Sequence, residues 1–216
     1  MSDPALVLYY FDIVGKGEPI RLLAAYARLP LHDHRFSSRE EFMQMRDEGK
    51  LPYGQVPLLE VKGKGFLPQS CAILRYLAKM AGGDIYPSDE WLAARVDAAM
   101  EQEVDAFTGP TVASYTTRFG IELDDDQKEK AGALISEEVM PRHLRSIEAQ
   151  LEESKTGWIA GTPRPSPADF VWAIPNKDHI FTAEIRALEG FPACRAFVKK
   201  FYELPEIVEY YANKEK

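Results

Sequence analysis

Side chains and loops that often carry chemistry lie close together near the start of the chain. His32 and His34 are two residues apart on a predicted strand, so their rings share one face, but no third metal ligand lies nearby in sequence. The loop Gly15-Lys-Gly17 is too short for a phosphate-binding loop and lacks its Gly-Lys-Ser/Thr ending. Neither a metal site nor a nucleotide site is predicted. Tyr10 remains the candidate, because it ends a predicted buried strand just before a loop and a helix.

The elements that must position Tyr10 follow from the hydrophobic pattern of residues 1–81. Residues 5–11 form a continuous apolar run, which is typical of a strand covered on both faces. In chain order the later elements are a helix with Ile20, Leu23, Ala24 and Ala27 on one face, a strand at 31–36, a weak helix at 38–48, a hairpin at 56–67 and a helix with Ile73, Tyr76, Leu77 and Met80 on one face. The order β-α-β-α-β-β-α predicts a thioredoxin-like domain.

A thioredoxin-like domain that exchanges disulfides carries Cys-x-x-Cys after its first strand, whereas this chain has Phe11-Asp-Ile-Val14 there. Disulfide exchange by the protein's own thiols is therefore not predicted. A tyrosine hydroxyl in that place can instead hold a thiol that belongs to a ligand.

The second part of the chain has a different pattern. Residues 82–88 are rich in Gly, Pro and Asp and predict a linker, and residues 89–216 predict an all-helical domain. One long helix is expected from Leu92 to Phe119, bent at Gly109-Pro110, and another from Gln127 to Glu153 after an acidic loop. Ser166-Pro-Ala-Asp169 predicts a capped helix start, which an alanine at either end would weaken by roughly 1–2 kcal/mol.

Composition excludes several classes of protein. The net charge is −8 and the sequence pI is about 5.1, which argues against nucleic acid and anionic membranes as partners. Two cysteines do not build a disulfide framework, and the first apolar run is too short for a membrane span or a signal sequence. We therefore expect a soluble cytoplasmic protein that needs no metal.

Three motifs in the expected order strengthen the interpretation of Tyr10. They are Tyr10-Phe11 before Gly15-Lys-Gly-Glu-Pro-Ile-Arg21, then Tyr53-Gly-Gln-Val-Pro-Leu-Leu-Glu60, then Leu67-Pro-Gln-Ser-Cys-Ala-Ile-Leu-Arg-Tyr-Leu77. With them the chain resembles the cytosolic glutathione transferases, especially the sigma class, over nearly its whole length. The resemblance implies a thioredoxin-like domain that binds glutathione as co-substrate, an all-helical domain that binds hydrophobic electrophiles, and a homodimer.

By this resemblance Tyr10 is the catalytic tyrosine, whose hydroxyl donates a hydrogen bond to the glutathione sulfur. A thiol with a pKa of about 8.5 is only a few per cent thiolate at neutral pH. A hydrogen bond to a charged group contributes roughly 1.5–3 kcal/mol, which would lower the thiol pKa by roughly one to two units. The alternative, a buried tyrosine that satisfies its hydroxyl elsewhere, fits Tyr9 as well as Tyr10.

The resemblance also implies contacts with the rest of the tripeptide. Gln55, Val56 and Pro57 match the family's cis-proline turn, which presents backbone groups to the cysteinyl part. Gln69 and Ser70 match the helix start that receives the γ-glutamyl carboxylate. Asp105 matches the acidic residue that reaches the ligand of the dimer partner. The structural alternatives are a trans proline on an edge strand, a plain helix cap and a solvated carboxylate.

The match departs from the family at the glycine end of glutathione. Lys16 replaces the usual arginine, Phe42 lies close to where a tryptophan is expected, and both Arg46 and Lys50 qualify as the family's lysine. The residues implied for the second substrate, which could equally be ordinary packing, are Ile13, Val14, Phe107, Thr111, Tyr115 and Pro175.

The expected function is conjugation of glutathione to hydrophobic electrophiles, as in detoxification. One alternative is a non-catalytic ligand carrier or a structural protein on the same scaffold, like the S-crystallins. Another is a thiol oxidoreductase that uses Cys71, although the apolar helix around Cys71 favours a core residue.

Overall fold

Residues up to Tyr86 fold around a four-stranded sheet in the order β2-β1-β3-β4. The computed structural model describes residues 5–174, 188 and 190–214. The strands are β1 (Leu6–Phe11), β2 (Leu31–Phe36), β3 (Leu58–Val61) and β4 (Gly65–Pro68), and the helices between and after them are α1 (Glu18–Tyr26), α2 (Arg39–Asp47) and α3 (Ser70–Ala81). Because β1 is parallel to β2 and antiparallel to β3, this is the predicted thioredoxin-like arrangement.

Strand β1 is fixed by the side chains it buries. Leu6, Leu8 and Tyr10 are 4%, 0% and 7% exposed, while the alternate side chains are only half-buried. Since successive side chains of a strand point to opposite faces, Tyr10 belongs to the same buried face as the two leucines.

The second compact unit, Pro87–Tyr202, is helical in its described part. Its helices are α4 (Glu90–Ser114), a short 3₁₀ helix (Thr116–Phe119), α5 (Asp125–Leu134), a π-helical turn (Ile135–Val139), α6 (Met140–Glu153), α7 (Pro167–Trp172) and α8 (Pro192–Tyr202). The expectation of one helix from Leu92 to Phe119 is wrong at its end, because α4 runs through Pro110 and stops at Ser114. The acidic segment is a helix start as expected: the Asp124 carboxylate accepts the Gln127 N–H at 2.8 Å.

The start of α7 is capped as the sequence predicts. The fully buried Asp169 carboxylate accepts the backbone N–H of Ser166 at 2.8 Å and its hydroxyl at 2.9 Å. It also accepts the N–H of Ile159 at 2.9 Å, so it ties α7 to the preceding loop. Burial raises the pKa of Asp169 from 3.8 to about 6, against the opposing effect of these three donors.

The last helix, α9 (Pro205–Lys214), packs with the first unit rather than the second. It contacts α1, where Lys214 Nζ lies 3.2 Å from a carboxylate oxygen of Glu18. An exposed pair between Glu209 of α9 and Arg28, which follows the end of α1, has its charged atoms 3.6 Å apart. This differs from the division expected from sequence, which assigned all residues after 88 to the helical domain.

Candidate functional site

The residues singled out in the first unit converge because of sheet register. Tyr9 of β1 pairs with Leu58 of β3, and Leu58 pairs with Pro68 of β4. Continuing this register places Pro57 beside Tyr10 and brings the start of α3 to the same edge of the sheet. Three segments that are far apart in sequence therefore meet where β1 ends.

Tyr10 lies under the loop that follows β1. The backbone N–H of Lys16 donates to Tyr10 Oη at 3.0 Å. Since the hydroxyl oxygen accepts this bond, its own proton must be directed away from that amide. A phenol that accepts one hydrogen bond is polarised to donate another more strongly.

Gly15 and Gly17 provide the space that the Tyr10 ring occupies. A Cβ on Gly15 would lie 3.2 Å from Cε1 and from Cζ of Tyr10 and would overlap its hydroxyl, and Gly15 also has φ +36°. A Cβ on Gly17 would lie 2.8 Å from Cγ of Tyr10, closer than side chains pack. Both glycines belong to the first family motif, but their close packing against the tyrosine ring could not be predicted from sequence.

Tyr9 has a different environment from Tyr10. Its hydroxyl donates to the Glu60 carboxylate at 2.8 Å. Burial, with the hydrogen bond and the charge of Glu60, raises the pKa of Tyr9 to about 12. The Tyr9 hydroxyl therefore has a carboxylate partner within the fold, whereas the Tyr10 hydroxyl lies under the loop after β1.

Arg21 was also missed, although it lies directly behind the tyrosine. It is 3% exposed, and its guanidinium carbon lies 5.7 Å from the centre of the Tyr10 ring. Nη2 donates to the carbonyl of Phe11 at 3.0 Å and Nη1 to that of Ile13 at 2.8 Å. In sequence Arg21 is the last residue of the first family motif and pairs with Glu18 at i, i+3 spacing, but neither signal gave it a place in the site.

The two segments beside Tyr10 have unusual backbone conformations. The Val56–Pro57 peptide bond is cis, as expected from sequence, and Pro57 is buried while Gln55 is exposed. Gln69 has φ +74°, a conformation that costs energy for a residue with a side chain. It orients the first turn of α3, where Ser70 is the first helical residue.

Helix α2 places the three candidates for the glycine end differently. The Phe42 ring packs on Phe11 at 5.3 Å and on Phe36 at 5.8 Å between ring centres, so it anchors α2 to the sheet. Arg46 Cδ would lie 3.9 Å from a Cβ on Gly54, which places this side chain over the loop before Pro57, and its guanidinium bonds Asp47. Lys50 instead pairs with Glu48 at 2.8 Å.

The residues suggested for the second substrate are not alike. Ile13 is 55% exposed and Val14 is half-buried, both in the loop after Tyr10. In the helical unit, Phe107 is buried with its ring 6.3 Å from that of Trp172, and the Thr111 hydroxyl donates to the carbonyl of Phe107 at 2.6 Å.

The remaining candidates in the helical unit lie toward its surface or cannot be described. Tyr115 is 53% exposed at the end of α4, and Asp105 is exposed on the same helix. Pro175 lies outside the described residues.

The described part of the chain holds neither a metal-ligand cluster nor a membrane-spanning helix. There, no three His, Cys, Asp or Glu side chains come together as metal ligands. None of the helices described is both long and apolar enough to cross a bilayer.

The fold and this edge of the sheet define a class of protein: a thioredoxin-like domain with a tyrosine at the end of β1, joined to a helical unit. Residues 6–79 match the glutathione S-transferase N-terminal domain and residues 114–214 match the glutathione S-transferase C-terminal domain. The chain is 32% identical to a glutathione S-transferase P of Caenorhabditis elegans over 207 residues, covering 95% of this chain and 91% of the relative. It belongs to the glutathione S-transferase family.

Two more comparisons agree with this assignment. The chain is 29% identical over 211 residues to a glutathione S-transferase of Anopheles gambiae, covering 98% of this chain and 97% of the relative. The structure of rat hPGDS complexed with a quinoline superposes with a TM-score of 0.80 at 26% identity and covers 97% of each chain. The match spans both units, so the thioredoxin-like and helical parts are both those of a glutathione transferase.

Proposed function

We propose that Tyr10 activates glutathione by donating its hydroxyl hydrogen bond to the thiol sulfur, and that the thiolate then attacks hydrophobic electrophiles. The observation that supports this is the Lys16 N–H donated to Tyr10 Oη at 3.0 Å. It orients the phenol, and a hydroxyl whose oxygen accepts one hydrogen bond can donate its own proton to a bound thiolate. Tyr9, whose hydroxyl donates to Glu60, does not compete for this function.

The magnitude of one hydrogen bond is sufficient. A bond to an anion contributes roughly 1.5–3 kcal/mol more than water does, and a pKa unit corresponds to about 1.4 kcal/mol. The glutathione thiol pKa would fall by roughly one to two units from about 8.5, so much of the bound thiol would be ionised at neutral pH. Tyr10 itself need not lose its proton.

The rest of the tripeptide would lie along the same edge of the sheet. The backbone of Val56 before Pro57 would pair with the cysteinyl residue as an added strand does. Ser70 and the first N–H groups of α3 would receive the γ-glutamyl carboxylate, with Gln69 beside them. We propose that the protein is a homodimer in which Asp105 of a second copy receives the γ-glutamyl ammonium.

At the glycine end we propose Arg46 as the cation, with Lys16 and Phe42 beside it. Arg46 pairs with Asp47 just as Lys50 pairs with Glu48, so the choice rests on position: the Arg46 side chain lies over Gly54 in the loop that leads to Pro57. A guanidinium can hold a carboxylate through two parallel hydrogen bonds.

The electrophile would contact Ile13 and Val14, which follow Tyr10 and present apolar surface. We place the reaction in the cytoplasm, because both cysteines, Cys71 and Cys194, are thiols, as expected in a reducing compartment. A sigma-class assignment is proposed on the motifs around Tyr10 and Ser70.

Tyr10→Phe tests the proposal. We expect glutathione affinity to stay roughly intact, while turnover of chlorodinitrobenzene at about pH 6.5 falls about tenfold or more. The ultraviolet absorbance of the bound thiolate should titrate about one to two pH units higher than in the wild type. Tyr9→Phe is the matched control and should leave this titration unchanged.

Wild-type turnover in Tyr10→Phe, or a wild-type complex with no thiolate near neutrality, would contradict the mechanism. Binding of glutathione without any conjugation would support a ligand carrier instead.

A further inference from the structure

A network of charged side chains, buried at Glu18 and Arg21, links the tyrosine loop to the last helix. Arg21 Nη1 lies 3.1 Å from Glu18, which is 0% exposed, and Arg21 Nε lies 3.0 Å from Asp33 of β2. Asp33 is also 2.7 Å from Arg35, and Arg35 bonds Asp12 of the tyrosine loop. Lys214 of α9 approaches Glu18 from the other side at 3.2 Å. The network thus contains three acidic and three basic side chains, whose formal charges cancel.

Arg21 is the member of this network that contacts the tyrosine loop most directly. Its two terminal nitrogens donate to the carbonyls of Phe11 and Ile13, on either side of Asp12. The same guanidinium lies 5.7 Å from the centre of the Tyr10 ring. Because the guanidinium group is planar and rigid, the Arg21 side chain holds both the start of the loop and the Tyr10 ring in position.

Helix α9 completes the network. Besides Lys214, it places Tyr210 against the same charges, with the Lys214 ammonium 5.9 Å from the Tyr210 ring centre. Tyr210 Oη is buried, and no described residue accepts its proton. Burial, followed by the charge of Glu18, raises the pKa of Tyr210, which keeps the phenol neutral beside the carboxylate. Glu18 and Arg21 are 0% and 3% exposed, so solvent screens their attraction little.

We infer that Arg21 is a positioning residue for Tyr10, and that α9, through Lys214 and Glu18, holds Arg21 in place. This inference rests on the proposed function of Tyr10. It assigns to the C-terminal helix an effect on thiolate formation, although Lys214 itself touches neither Tyr10 nor the loop after it in any contact described. The effect has two parts of the same sign. Loss of the Arg21 fork would loosen the loop, and loss of the Lys214 charge would leave one uncompensated negative charge in the network that holds Arg21.

Arg21→Lys is the first test, because it keeps the charge and removes the fork. We expect turnover at about pH 6.5 to fall about tenfold, with recovery at higher pH, because the pKa of the bound glutathione thiol rises by about one unit. The KM for glutathione should change by no more than about threefold. A purely structural function of Arg21 would lower the melting temperature and leave the thiolate titration unmoved, and that result would overturn the inference.

The second test compares the variant Lys214→Met with its control Glu209→Gln. It can be carried out even if the variant Arg21→Lys does not fold. Both variants remove an ion pair made by α9, but Lys214 pairs with the buried Glu18 of α1, whereas Glu209 pairs with the exposed Arg28 beyond the end of α1. Only Lys214→Met should raise the thiol pKa, by about half a unit. Equal titrations in both variants and the wild type would refute the action of α9. If the wild-type complex itself shows no thiolate near neutrality, the function proposed for Tyr10 has failed instead.

Discussion

Replacing Gly17 with Ala would move the proposed catalytic tyrosine without changing any group that does chemistry. Gly17 has φ −83° and ψ −34°, so an alanine meets no backbone penalty there. The cost is steric, because the new methyl would lie 2.8 Å from Tyr10 Cγ and 3.0 Å from Cε1. Since carbon atoms pack at about 3.5–4.0 Å, the ring must move by about 1 Å.

The size of the effect follows from this displacement. Overpacking a buried site costs typically about 1–3 kcal/mol of stability. A shift of about 1 Å at a reacting group can lower the rate about 100-fold, and loss of one charged hydrogen bond corresponds to roughly 10- to 100-fold. We therefore expect kcat/KM at about pH 6.5 to fall by roughly 10- to 100-fold, close to the effect of Tyr10→Phe.

A double-mutant cycle with Tyr10→Phe separates the effect of Gly17→Ala on stability from its effect on activity. Phenylalanine keeps the ring, so Gly17→Ala should destabilise both backgrounds equally in thermal unfolding. Its effect on kcat/KM should shrink to less than about threefold once the hydroxyl is absent. Gly132→Ala is the control, because nothing lies within 4 Å of the added carbon in α5, and it should leave activity unchanged. Activity losses that multiply in the double variant would refute the explanation.

Two further predictions concern other parts of the chain. Folding raises the pKa of the Asp169 carboxyl from 3.8 to about 6, so as pH rises the unfolded chain loses the Asp169 proton before the folded chain does. The stability that the protonated Asp169 carboxyl contributes is therefore lost as pH rises from about 4 to 6. In denaturant titrations the free energy of unfolding of the wild type, relative to that of Asp169→Asn, should fall by about 3 kcal/mol across that pH range. If this difference instead grew with pH, the three hydrogen-bond donors would lower the pKa of Asp169 more than burial raises it. Arg46→Ala should raise the KM for glutathione about tenfold, and Lys50→Ala should leave it within about twofold; the reverse order would make Lys50 the carboxylate ligand.

The elements that the sequence predicted well are those with strong local signals. The apolar run of β1 and the Ser-x-x-Asp cap of α7 were each defined by residues adjacent in sequence, and the structure confirms both. The family motifs also predicted a cis bond at Pro57. Helix α4 was predicted in place but not in length, because the signal that ends it after Ser114 is weak.

The parts that were missed depend on contacts between distant residues. Nothing local shows that Gly17 faces a ring seven residues earlier, or that Lys214 reaches Glu18 across 196 positions of sequence. Arg21 looked like an ordinary polar position on α1, because its four partners lie in α1, β1, β2 and the loop after β1. A buried arginine is stable only when such partners surround it, and they appear only with the fold.

Tyr9 and Tyr10 are adjacent on one strand, so their side chains point to opposite faces of the sheet and cannot serve the same site. The face that β1 buries determines which of the two lies at the site. Tyr10 shares its face with Leu6 and Leu8, whereas Tyr9 bonds Glu60. Sliding β1 by one residue would move both leucines out of the core, at a cost of roughly 1.5–3 kcal/mol for each. The burial of two leucines therefore determines which phenol reaches the loop with Gly17. The chemistry proposed for this enzyme is in that sense selected by its hydrophobic core, before any ligand binds.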